Sequence, residues 1–131
     1  MRILFGLALW WAAAAAAETP MTGAEFEART SGQTLDFAVR GEPYGTEQYL
    51  PGRRVIWAFS GGQCRYGKWY EDGTGRICFV YEHDPTPQCW WFFDRPGGIA
   101  ALFDGDQPGS ELVEVRRSSE PMACPGPDVG V

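Results

Sequence analysis

PGRRVIWAFSGGQCRYGKWYEDGTGRICFVYEHDPTPQCWWFFDRPGG, residues 51–98, decides the fold. Short apolar or aromatic runs are cut by turn residues at Pro51-Gly52, Ser60-Gly61-Gly62, Asp72-Gly73-Thr74-Gly75, His83 to Pro87 and Pro96-Gly97-Gly98. The breaks recur roughly every 10 to 12 residues, the spacing of consecutive hairpins in a barrel or sandwich. Helical segments do not intervene, so parallel βαβ units are excluded.

Working outward, the same punctuation predicts strands near 34–39, 46–50, 53–59, 63–70, 76–82, 88–94, 98–103 and 110–116. Eight sequential strands suit an all-β antiparallel meander, barrel-like in the calycin or lipocalin manner, since closure removes exposed sheet edges. A two-sheet sandwich is the alternative. Upstream, Thr22 and Glu25 form a Thr-x-x-Glu capping box, Met21 and Phe26 occupy the staple positions, and Gly32 stands where a C′ glycine ends a helix. This predicts a helix over 23–31 that plugs or packs against the sheet through Phe26. Downstream, residues 118–131 form a Pro/Gly-rich tail.

The N-terminus predicts export. Arg2 precedes an apolar stretch, Ile3 to Trp11, and an alanine run, Ala12 to Ala17, as in a secretory signal peptide cleaved after Ala17. The apolar stretch is short of the roughly 20 residues that span a bilayer. Loss of residues 1–17 leaves one domain, 18–117, with its tail, set in the periplasm or outside the cell. The whole chain carries a formal charge of −6. That acidity argues against nucleic acid and anionic membrane surfaces as partners.

Cys64, Cys78, Cys89 and Cys124 are an even set in an exported chain and predict two disulfides rather than a metal site. If Cys78 and Cys89 face each other across a hairpin, Ile77 pairs with Trp90, and Cys64–Cys124 remains as the second bridge. That bridge closes a loop of about 60 residues, worth about 4 kcal/mol in the chain-entropy model.

Alternation carries the face assignment. With a two-residue turn at Gly61, Val55, Trp57 and Phe59 share a face with Cys64, Tyr66 and Tyr70. A tight turn at Asp72-Gly73 then brings Ile77, Phe79 and Tyr81 onto it. A one-residue slip inverts everything downstream. This face collects Trp57, Tyr66, Tyr81, Trp90 and Phe92 as the candidate lining of an apolar ligand cavity. The preferred reading is that these rings fill a compact core, since a domain of this size has little spare volume. Trp69, Trp91 and Phe93 are then outward, as a partner-binding patch or under the helix.

Catalytic signals are thin. His83 is the single imidazole, within Glu82-His83-Asp84, and no Gly-x-Ser-x-Gly elbow accompanies it. A polar hairpin tip with an exposed histidine is the preferred reading. The carboxylates Glu47, Glu71, Asp72, Glu82, Asp84, Asp94, Asp104 and Asp106 mostly fall at predicted turn ends, where solubility accounts for them. Asp104-Gly105-Asp106 lacks the further oxygens of a calcium loop. No cofactor is implied.

The segments Met21 to Phe26, Gly45 to Leu50, Val55-Ile56-Trp57, Gly62-Gln63-Cys64, Gly67 to Tyr70, Ile77 to Glu82 and Pro87 to Trp90 together resemble small exported proteobacterial proteins that share a domain of unknown function, the 995 family. The resemblance implies a periplasmic setting and a β-rich fold, and no catalytic residues. The functional expectation is a non-enzymatic exported barrel that binds a small apolar ligand or a protein partner. A small hydrolase working through Glu82, His83 or Asp84 is the alternative, and a purely structural envelope protein the third class.

Overall fold

The computed structural model describes residues 8–11 and 17–124. Eight antiparallel strands close into a barrel in sequence order: β1 (Thr34–Val39), β2 (Glu42–Leu50), β3 (Arg54–Phe59), β4 (Arg65–Glu71), β5 (Ile77–Tyr81), β6 (Asp84–Arg95), β7 (Gly98–Phe103) and β8 (Leu112–Ser118). The seam is made by β1 and β8, with Thr34 opposite Ser118. The meander is therefore a closed barrel, and the sandwich alternative falls. Among the described residues, no helix is long and apolar enough to cross a membrane. The expected signal segment lies largely outside the described residues.

One short helix, α1 (Gly23–Thr30), stops the end of the barrel where β2 and β4 finish and β3 and β5 start. Its capping box is formed as the sequence dictates: the Glu25 amide donates to Thr22 Oγ1 at 3.1 Å, and the Thr22 amide to Glu25 Oε1 at 3.4 Å. The Glu71 carboxylate accepts from the Gly23 amide at 2.7 Å, placing negative charge at the positive end of the helix. At the other end, Arg117 donates to the Arg29 carbonyl at 2.6 Å. Gly32 takes the left-handed φ of 78° that the helix stop requires. Phe26 is fully buried between the rings of Tyr49, Trp69, Phe79 and Phe92, with centroids at 5.5, 5.0, 6.3 and 4.3 Å. A helix of eight residues is marginal alone, so these contacts hold it.

Two turns are wider than their glycines suggest. The β3–β4 register pairs Ile56 with Tyr66 and Trp57 with Arg65, leaving Ser60 to Cys64 as a five-residue loop. Between β4 and β5, the Asp72 side chain accepts from the Thr74 and Arg76 amides at 2.9 and 3.0 Å, which shapes a loop over 72–76 instead of a tight turn. Each loop shifts the predicted register by an odd number of residues, one at the first and three at the second, and so inverts the face. The first sends Tyr66 and Tyr70 outward and Trp69 inward. The second cancels the first, so Ile77, Phe79 and Tyr81 point inward as expected. Tyr66 is 48% exposed and Trp69 4%. This corrects both the place of Tyr66 in the cavity lining and that of Trp69 on an outer patch. Trp91 and Phe93 are half-buried on the outside, with Arg95 over the Phe93 ring and the Trp91 indole donating to Asp104.

The predicted break at His83 to Pro87 is also narrower than its composition suggests. Glu82 and His83 alone make the turn, because Tyr81 already pairs with Asp84. Pro85 and Pro87 lie in the irregular start of β6, where the ladder asks for few amide donors.

Both disulfides form as read from the sequence. Cys78–Cys89 joins directly opposite residues of β5 and β6, beside the Ile77–Trp90 pair. Cys64–Cys124 ties the tail down. Between β8 and that bond the chain crosses the outside of the barrel as a strap: Thr34 donates to the Glu120 carbonyl at 2.7 Å, and the Met122 amide to Gln48 at 3.2 Å.

Candidate functional site

The end of the barrel away from α1 holds a cavity of about 60 Å³. Its wall includes Trp57, Tyr81, Trp90 and Phe92, four of the five residues named from sequence, with Tyr44, Glu47 and His83 added. Tyr66 instead borders a groove on the outer face with Arg54, Lys68 and Glu82.

Alternation places the inward side chains, and two glycines make room for them. Across β2 and β3, Gly45 faces Phe59, Glu47 faces Trp57, and Tyr49 faces Val55. A Cβ at Gly45 would stand 2.5 Å from Trp57 Cζ2, so the absent side chain leaves the indole its place. Gly67 does the same for Tyr81, whose Cδ1 would lie 2.7 Å from an added Cβ. Tyr44 reaches the mouth by a different device. The β1–β2 ladder passes from Phe37–Gly45 to Ala38–Pro43, so Tyr44 is a bulge residue released from the alternation. Its ring meets Trp57 at 5.8 Å and Phe59 at 5.5 Å, an aromatic group along one rim. His83 stands at the mouth near Tyr81, with ring centroids 6.1 Å apart.

Glu47 is the unusual member. It is 3% exposed, and both its oxygens lie within reach of the Tyr81 hydroxyl, at 3.2 and 3.1 Å. Burial pushes the carboxyl well above the usual range, and the hydrogen bond from Tyr81 opposes this only in part. Tyr81 and Tyr49 are raised as well, by burial first and then by Glu47. Burial thus favours the neutral acid at Glu47.

Sequence reading passed over Glu47 as one carboxylate among many. The signal was present: a short turn at 51–53 carries the face of Val55 and Trp57 back onto Tyr49 and Glu47. Of the Glu82-His83-Asp84 set, Glu82 is exposed, His83 rims the cavity, and Asp84 accepts from the Thr86 amide at 2.9 Å.

A pH dependence follows from the raised carboxyl. Its stabilising contribution is present below the ordinary carboxylate range and lost as pH rises through the folded-state value. Between about pH 4 and pH 8, the melting temperature of the wild type is expected to fall relative to that of Glu47→Gln. Thermal melts of both proteins across that range check it. A constant difference contradicts it.

Comparison with protein-family models, curated proteins and solved structures gave no match.

Proposed function

We propose that this chain is a non-enzymatic, exported ligand-binding barrel. The observation that carries the proposal is the aromatic-lined cavity with a buried carboxyl in its wall, open at one end and stopped at the other by α1. Ligand pockets combine apolar walls with a few placed polar groups, which is this arrangement. The small volume means that the barrel takes the end of a ligand, with the remainder lying across Tyr44, Phe59 and His83 at the mouth. Binding is favoured over hydrolysis because Glu82 faces solvent and Asp84 is engaged by its own turn. A partner-binding patch built on Trp69 has lost that ring to the core. The two disulfides suit an oxidising compartment, the periplasm or the outside of the cell.

Trp57 and Trp90 line the cavity and make the test direct. Titration of the purified protein with small amphipathic and aromatic compounds is expected to change tryptophan emission saturably, and less so in Trp57→Phe. Flat titrations across the panel would overturn the proposal.

A further inference from the structure

We infer that the pocket takes the ammonium head of an organic cation, with Glu47 as counter-ion and Tyr44, Trp57, Tyr81 and Trp90 around it. The inference rests on the ligand-binding reading above and names its ligand class.

Size comes first. A cavity of about 60 Å³, at roughly 30 Å³ for each water-sized group, holds about two such groups. A primary ammonium with its first methylene has that bulk, and a trimethylammonium head enters with its outer methyls against the rings at the mouth. A whole aliphatic chain does not fit.

Charge is the second consideration. A carboxylate offers about four acceptor positions. Among the described residues, Glu47 has a single hydrogen-bond partner, and that hydroxyl has one proton for two oxygens. A buried acid so thinly served, in the wall of an open cavity, is matched by a cation or a strong donor. Among the described residues, the lining contains no Lys or Arg to take that role from a ligand. A carboxylate or phosphate head would meet Glu47 with no cationic lining side chain except, when protonated, His83 at the rim. A neutral apolar head would leave the acid as it stands.

The rings are the third. The faces of Trp and Tyr attract ammonium groups through their quadrupoles, most strongly where water is displaced. Here several such rings share one wall with the acid. The chain's formal charge of −6 adds a long-range field that gathers cations.

Choline and 3,3-dimethylbutan-1-ol share a shape and differ in the charge of the head. Titrated into the full chain by calorimetry and tryptophan emission, choline is expected to bind at least about tenfold more tightly. Glu47→Gln is expected to lose about that factor for choline and little for the alcohol. Choline affinity should also rise with pH as Glu47 ionises. The titratable groups facing Glu47 are Tyr44 and Tyr49 on β2, Tyr81 on β5 and His83 in the β5–β6 turn. His83→Gln should keep the pH slope and Glu47→Gln lose it.

Equal binding of choline and the alcohol by the wild type overturns the inference, whether or not the variants fold. Undiminished choline affinity in Glu47→Gln does so too, as does choline silence where indole binds. Each of these outcomes leaves the ligand-binding reading standing. Silence of choline, the alcohol and indole together overturns both.

Discussion

Phe26→Ala is expected to lower the stability of the domain by about 3–5 kcal/mol, a large share of the 5–15 kcal/mol typical of a single domain. The phenyl ring is fully buried and touches rings from β2, β4, β5 and β6 at once. Its removal leaves a void that four different strands would have to move to fill, and a barrel closed by hydrogen bonds collapses poorly. The loss adds to the transfer term because α1 is too short to stay helical without its anchor. Urea unfolding measures it as a lower midpoint at an unchanged slope. Thr22→Ala, which removes only the cap, should cost about 1 kcal/mol by comparison. A Phe26→Ala loss no larger than that of the cap variant would mean that the helix does not hold the barrel together.

The second large effect concerns the strap. The double variant Cys64→Ser, Cys124→Ser is expected to lose about 4 kcal/mol, because the bond closes a loop with a separation of 60 residues. The Cys78–Cys89 bond spans only 11 residues and joins strands already paired by the ladder. Its removal should cost about 1.5 kcal/mol less in the same model. Near-UV circular dichroism should remain native in the strap variant, since the strap lies outside the barrel and leaves the aromatic interior untouched. Equal losses for the two bonds would remove the chain-entropy explanation.

Much of this fold was readable because its signals are local. Thr22, Glu25 and Gly32 specify the helix without any tertiary information, and its observed end at Thr30 differs from the expected one by a single residue. The hairpin of β5 and β6 was legible from the cysteines, which demand that residues 78 and 89 meet. The site was legible only where alternation could be carried through a turn. Tyr66 failed because the Ser60–Cys64 loop has to present Cys64 to the strap, a constraint imposed by a residue 60 positions away. Tyr44 lay beyond reach because a bulge obeys no alternation. The burial of Glu47 contradicts the ordinary preference of carboxylates for water, and such violations of local rules concentrate where a protein does its work.

The seam between β1 and β8 has a consequence in time. Thr34 and Ser118 are paired at a separation of 84 positions in the chain, so the closure that completes the barrel joins the first strand to the last. Seven of the eight neighbouring-strand ladders can zip locally as consecutive hairpins, while the eighth must wait for the ends to find each other. Folding should therefore run as a fast local phase followed by one slow ring-closing event. The strap bond, which ties β8's far end to the β3–β4 loop, shortens that final search once it has formed.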